Sequence, residues 1–186
     1  EFALAGKTQA DIALGLPALA RDNPDYYALD VANLILGRLG LYGRIGDAVR
    51  QTQGLAYYAY SSLDAWLGAG FWGARAGVSP ANIERAIETI LAEVRRLRDE
   101  PVRAEELADA QDYLTGSLPL ALESQDGVAR LLLDCELYNL GLDYLDRYPA
   151  IIRALTREQV QAAAVRYLLP DRIAIAVAGP ETGSKV

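Results

Sequence analysis

The chain has 186 residues, 52% of them hydrophobic and 23% charged, which is typical of a globular domain. Its net charge of −7, with no basic stretch free of acidic neighbours, argues against nucleic-acid binding. It has no histidine and one cysteine, Cys135, so an internal disulfide is impossible. A self-contained zinc site, or a hydrolase that relies on a histidine base, is nearly excluded. No transmembrane helix is expected, because no apolar run approaches the roughly 18–20 residues that span a bilayer.

The first half of the chain predicts a strand, two helices and a hairpin. Alternation over 8–16 indicates a half-buried strand that Pro17 ends. A helix of about 25–39 is apolar nearly all round, and a second, from 45 to about 52, stops at Gly54. Two strands that form an antiparallel hairpin then follow, at 55–63 and 68–78.

The second half predicts helices and a closing strand. A strongly amphipathic helix covers 80–99 and ends before Pro101. Three or four further helices follow, at about 104–118, 126–140, 145–155 and 157–169, before a strand at 172–179. The order β-α-α-β-β-α-α-α-α-β predicts an α+β fold, with a mainly antiparallel sheet of about four strands and helices packed on one face. We expect a single domain over 1–186, with tails at 1–6 and 181–186.

Arg50 and Tyr57 lie seven residues apart across the helix-to-strand corner at Gly54. Local chemistry also allows a simpler reading, in which an arginine stabilises a helix C-terminus and a tyrosine is half-buried on a strand. Alternation places Tyr57 on the same face as Ser61 and places Tyr58 on the opposite face, with Ala56 and Tyr60. A change of register by one residue would therefore exchange the two tyrosines.

The other patterns favour structural roles. The acidic run Glu105, Glu106, Asp109 and Asp112 could hold Mg²⁺ or Ca²⁺, but such runs are usually a solvated helix face. The glycines at 37, 40 and 43 do not match a phosphate-binding loop, so chain flexibility or close packing explains them better. Cys135 is expected to be a small core residue.

The segment LILGRLGLYGRIGDAVRQTQGLAYYAYSS (34–62) resembles the hallmark of the pitrilysin/insulinase group of zinc metallopeptidases, which includes relatives of the mitochondrial processing peptidase. The pattern in their zinc-free halves is L-G-G-x-x-x-S-R-L-x-x-x-I-R-x-x-x-G-L-A-Y-x-x-x-S. Leu36-Gly37 opens it, Gly43-Arg44-Ile45 replaces S-R-L, and Val49-Arg50 matches I-R. Residues 54–57 match G-L-A-Y letter for letter, and the similarity extends over about 7–180.

The resemblance implies a zinc-free half of a two-half, inverzincin-type peptidase. The homologous partner half, fused or separate, would hold the zinc through H-x-x-E-H, and this chain would hold no cofactor. Tyr57 would donate its hydroxyl to the scissile carbonyl oxygen of a peptide substrate. Arg50 would bind a substrate carbonyl or orient the tyrosine, with Gly54 as the substrate-binding turn between them.

Two alternatives stay open. The family also supplies non-proteolytic core subunits to respiratory complexes, so this chain could be a scaffold. It could also be a stand-alone module that adds an extended peptide to its sheet edge. All three interpretations predict no peptidase activity from this chain alone, and both cytoplasm and periplasm remain open as compartments.

Overall fold

A computed structural model describes residues 2–3 and 7–180. Its strands are β1 (Phe2–Ala3), β2 (Ala10–Ala18), β3 (Ala56–Asp64), β4 (Gly70–Val78) and β5 (Ala174–Gly179). They form one sheet in the order β1-β5-β2-β4-β3, in which β2, β3, β4 and β5 pair antiparallel and β1 pairs parallel to β5. The α+β fold with four main antiparallel strands is thus confirmed, with the two-residue β1 added at one edge. The expected tail at 181–186, and residues 1 and 4–6 of the other, lie outside the described residues.

The helices lie where the periodicity places them, but the first two change from α-helix to π-helix along their length. α1 (Tyr26–Asn33) continues as a π-helix over Leu34–Arg38, and α2 (Arg44–Gly46) continues as a π-helix over Asp47–Thr52. All four further helices form, so five α-helices follow the hairpin, one more than in the predicted order. They are α3 (Ile83–Asp99), α4 (Ala104–Ala121), α5 (Gln125–Leu137), α6 (Tyr144–Arg153) and α7 (Arg157–Tyr167). Short 3₁₀ turns cover Gly40–Tyr42, Pro80–Asn82 and Pro170–Arg172. None of the helices in the described ranges is both long and apolar enough to cross a membrane.

The core lies between one face of the sheet and the helices. On β2, Ile12 and Leu14 are buried among helix residues, while Asp11 and Ala13 on the other face are exposed. Trp72 on β4 is fully buried, and its indole N–H donates a 3.0 Å hydrogen bond to the side-chain oxygen of Asn33 in α1. The opposite face, which carries Asp11, is called the outer face below.

Pro17 does not end β2, contrary to the prediction. The strand continues to Ala18, and Pro17 pairs with Phe71 of β4. On the other side of β2, the pairing with β5 stops at Gly15. Because β2 has only one neighbouring strand at Pro17, the missing N–H need not interrupt a ladder there.

Candidate functional site

Gly54 forms a tight corner between the π-helix Asp47–Thr52 and β3. Its φ of +62° lies in the left-handed region that favours glycine. The Gly54 N–H donates to the Arg50 carbonyl at 3.1 Å, and the Leu55 N–H donates to the Val49 carbonyl at 2.9 Å. Arg50 and Tyr57 therefore lie on either side of one closed, hydrogen-bonded turn.

The side chains of Arg50 and Tyr57 both face solvent. Arg50 is exposed and Tyr57 keeps 68% of its surface accessible. Within the described part of the chain, neither side chain takes part in a hydrogen bond or an ion pair. Their polar groups therefore make no contribution to the fold through hydrogen bonds or ion pairs within the described residues.

Tyr57 lies in a β-bulge. The register pairs Ala56 with Val78 and Tyr58 with Gly77, which leaves Tyr57 without a partner on β4. Because residues paired across the strands share a face, Ala56 lies on the core face with the buried Val78. The predicted alternation is therefore wrong at this point, since Ala56 does not share the face of Tyr58. The extra residue interrupts the ladder and lets the strand direct a side chain away from the regular pleat.

The Tyr58 side chain lies on the outer face. Its hydroxyl donates a 2.5 Å hydrogen bond to the Asp11 carboxylate, and its ring centroid lies 6.0 Å from that of Tyr60. A Cβ added to Gly77 would come within 2.4 Å of the Tyr58 ring, so the glycine allows the ring to lie against the sheet. Burial, together with the hydrogen bond to Asp11, raises the pKa of Tyr58 to about 12. The neighbouring tyrosines thus differ: Tyr58 has a partner for its hydroxyl and Tyr57 has none within the described residues.

The glycine segment, residues 37–43, packs backbone against backbone. A Cβ on Gly43 would lie 2.6 Å from the Gly37 Cα, and a Cβ on Gly37 would lie 2.8 Å from the Ser61 Oγ. Real Cβ atoms essentially never approach so closely, so both positions require glycine. Of the two roles considered for these glycines, close packing is the one present at Gly37 and Gly43.

An ion pair between Arg44, the first residue of α2, and Glu106 links α2 to α4, and no sequence pattern predicts it. Two N–H groups of Arg44 donate to the two carboxylate oxygens of Glu106, at 2.9 and 2.8 Å. The side chains are only 9% and 14% exposed. Glu106 also accepts from the backbone N–H of Arg103 at 2.9 Å, as the third helical residue of α4.

The environment of Glu106 makes its carboxylate unusually acidic. Burial acts to raise its pKa, but the hydrogen bonds from Arg44 and Arg103 outweigh burial and lower it to about 2. The expectation of a solvated acidic face is therefore wrong for Glu106, whereas Glu105, Asp109 and Asp112 are exposed. The two partners are 62 positions apart, so no local spacing could reveal the pair.

The residues of this chain do not fit a zinc ion. No histidine is present, and Cys135 is buried. Across the ranges that the structure describes, no group of three His, Cys, Asp or Glu side chains could hold a metal ion. The Tyr57 phenol and the Arg50 guanidinium at the Gly54 corner can form hydrogen bonds, and the guanidinium also carries a positive charge.

The fold defines the class, an α+β domain, and within the described residues no group of side chains could hold a metal ion. The family model described as the peptidase M16 inactive domain matches residues 1–114. The chain belongs to this family, which confirms the resemblance seen over residues 34–62.

Similar proteins agree with that membership. An uncharacterized zinc protease of Streptomyces coelicolor is 30% identical over 172 residues, covering 92% of this chain and 37% of the relative. One of Mycobacterium tuberculosis is 33% identical over 180 residues, covering 95% of this chain and 40% of the relative. The chain thus spans about two fifths of the length of each.

Solved structures show the same fold. The peptidase M16 inactive domain from Pseudomonas fluorescens has a TM-score of 0.87 and 29% identity, covering 96% of this chain and 42% of that one. A chain of complex III2 from Candida albicans has a TM-score of 0.81 at 18% identity, covering 96% of this chain and 44% of that one. The likeness to the respiratory complex is one of fold alone.

Proposed function

We propose that this chain is the substrate-binding, zinc-free half of a zinc metallopeptidase acting on peptides or unfolded segments. It would supply Arg50 and Tyr57 to the zinc site of a homologous partner half. The observation that carries this proposal is the corner itself. A left-handed glycine and a bulge lie on the short segment that joins Arg50 to Tyr57, and neither side chain has a hydrogen-bond or ion-pair partner within the described residues. Zinc would belong to the partner half, and the zinc-protease names of the relatives support that assignment.

The two side chains suit different atoms of a peptide. The Tyr57 hydroxyl would donate a hydrogen bond to the scissile carbonyl oxygen as negative charge develops there. The Arg50 guanidinium would donate to a neighbouring backbone carbonyl through its planar set of N–H groups. The tight turn at Gly54 would fix the spacing of the two donors. Tyr58 is the poorer candidate, because its hydroxyl already donates to Asp11.

The scaffold alternative rests on the fold shared with the complex III chain. A scaffold has no need for exposed Arg and Tyr side chains without partners in the described residues, so the corner favours the peptidase half. Peptide addition to the free edge of β3 is also less favoured, because it would give no role to Arg50 and Tyr57.

The test is reconstitution of this chain with a homologous zinc-bearing half. Cleavage of an unstructured fluorogenic peptide is followed for each half alone and for the mixture. We expect little activity from either half alone, and a rate at least about 10²-fold lower for Tyr57→Phe in the mixture. Arg50→Ala should raise KM, lower kcat, or both, because a substrate contact is lost.

Matched controls make the result specific to the corner. Tyr58→Phe removes the same hydroxyl one residue further along, and Arg95→Ala removes an exposed arginine of α3. Both should cleave at close to the unmodified rate. Undiminished cleavage by Tyr57→Phe and Arg50→Ala would refute the proposal.

A further inference from the structure

Gln53, the residue before the turn at Gly54, ties the corner to helix α3. Its side-chain Nε2 donates a 3.1 Å hydrogen bond to the Oγ1 of Thr89, and its Oε1 accepts a 2.8 Å hydrogen bond from the Nε of Arg85. The two partners lie 36 and 32 positions further along the chain, both within α3. One side chain therefore links the π-helix side of the corner to a long, regular helix.

The chemistry of these groups fixes the direction of every hydrogen bond in the link. A guanidinium can only donate, so the oxygen of the Gln53 amide faces Arg85 and its NH₂ group faces Thr89. The Thr89 hydroxyl accepts from Gln53 and donates its own proton to the Arg85 carbonyl at 2.8 Å, one turn earlier in α3. A flipped amide would place its NH₂ group against the guanidinium, so the link has only one satisfied arrangement.

The strand side of the corner is attached to the same region. The side-chain NH₂ group of Asn82 donates to the Leu55 carbonyl at 3.4 Å, from the 3₁₀ turn that precedes α3. The Leu55 side chain is also buried in the core. The residues on both sides of Gly54 are thus held by α3 and the turn before it.

Tyr57 itself receives little support from the sheet, because it has no partner on β4. A hydroxyl that must meet a developing negative charge stabilises it only if the donor is already in place. Misplacement by 1 Å can cost on the order of 10²-fold in rate. The link through Gln53 supplies, from α3, a constraint that strand pairing does not supply at Tyr57.

We propose that Gln53 and Thr89 are positioning residues, which hold the Gly54 corner so that the Tyr57 hydroxyl stays in place for the zinc site of the partner half. This inference rests on the proposed function and deepens it. It assigns a role in that reaction to two residues that act only through Tyr57 and touch neither substrate nor zinc.

The first experiment removes the link and measures the corner in the isolated chain. Thr89→Val replaces the hydroxyl by a methyl group of similar size, and Thr89→Ser keeps a hydroxyl. Thr52→Val is the matched control, because Thr52 is exposed, lies beside Gln53 and forms no side-chain hydrogen bond within the described residues. Hydrogen exchange of the Leu55 N–H, which closes the turn onto the Val49 carbonyl, reports opening of the corner. We expect exchange about fivefold faster in Thr89→Val and unchanged in Thr89→Ser and Thr52→Val.

The second experiment measures cleavage by the chain mixed with a homologous zinc-bearing half. We expect Thr89→Val to lower kcat about tenfold with a smaller change in KM, because a contact made in the transition state is weakened. Gln53→Leu removes the link from its other end and should give the same loss, whereas Thr89→Ser should keep the unmodified rate. In a chain that already carries Tyr57→Phe, Thr89→Val should cause no further loss. A purely stabilising role would not produce this dependence on Tyr57.

The outcomes separate this inference from the proposed function. Unchanged exchange at Leu55 in Thr89→Val, or cleavage at the unmodified rate by Thr89→Val and Gln53→Leu, would overturn the inference alone. An equal loss from Thr89→Val with and without Tyr57→Phe would do the same. Undiminished cleavage by Tyr57→Phe itself would refute the proposed function and the positioning role together.

Discussion

Replacing Glu106 with glutamine tests the ion pair with Arg44 that links α2 to α4. The substitution keeps the shape of the side chain but removes the charge that faces Arg44 at 2.8–2.9 Å. Arg44 is 9% exposed, so its guanidinium would remain largely buried opposite a neutral amide. A buried charge that loses its partner is strongly destabilising.

The lowered pKa of Glu106 sets the size of the effect and its pH dependence. A shift from 4.5 to about 2 corresponds to a free energy on the order of 3 kcal/mol. Because the folded-state pKa is depressed, this stabilisation is fully present above about pH 4.5 and is lost as the pH falls toward 2. We therefore expect Glu106→Gln to lower the free energy of unfolding by about 2–3 kcal/mol at pH 7. That difference should be smaller by roughly 1 kcal/mol at pH 3.5.

Urea denaturation followed by circular dichroism at pH 7, 5 and 3.5 measures the difference between the two proteins. The control is Glu105→Gln, one residue away, where the side chain is 86% exposed and the change should stay within about 0.5 kcal/mol. Comparison at each pH cancels the protonation of other carboxylates. The reasoning is refuted if Glu106→Gln behaves like Glu105→Gln, or if its cost is the same at pH 7 and pH 3.5.

Two more substitutions test the corner and the tyrosine beside it. Gly54→Ala places a Cβ on a residue with a φ of +62°, so it should lower the free energy of unfolding in urea by about 1–2 kcal/mol. Gly68→Ala should be nearly neutral, because the added Cβ would meet no atom within 4 Å and Gly68 does not have a left-handed φ. Equal losses of stability at the two positions would show that the left-handed φ at Gly54 does not disfavour alanine. Tyr58→Phe removes the hydrogen bond to Asp11 and should cost about 0.5–1 kcal/mol in the same assay. Tyr57→Phe should not measurably change the free energy of unfolding. A larger loss for Tyr57→Phe than for Tyr58→Phe would contradict the hydrogen bonding described for the two hydroxyls.

The helices were predictable because their patterns are local. The α3 helix repeats apolar residues at spacings of three and four, and those residues, Ile83, Ala86, Ile87, Ile90, Val94 and Leu97, are the ones buried in the structure. The turn at Gly54 was predictable for the same reason, since a glycine between a helical pattern and an alternating pattern commonly marks the end of the helix. The π-helical turns before it were not, because a 3.6-residue pattern does not report a local change of winding.

The predictions for Pro17 and Glu106 are wrong because residues distant in the sequence determine the structure at those positions. Pro17 stays within β2 because β5 has already stopped at Gly15, and the end of β5 cannot be read from β2. Glu106 looked like part of a solvated acidic run because its partner, Arg44, is 62 positions away.

By itself the sequence determined the α+β class, the order of most elements and the exclusion of a zinc site built from histidines, because each follows from composition or from spacing along the chain. It also singled out Arg50 and Tyr57 as candidates. The G-L-A-Y match favoured Tyr57 over Tyr58, but only the tertiary structure shows how their surroundings differ. That difference depends on how β3 pairs with β4, where one extra residue leaves Tyr57 without a partner on β4 and directs Tyr58 to Asp11. Cross-strand register is set by contacts between strands, so the tyrosines, adjacent and chemically identical in the sequence, become different groups only in the fold.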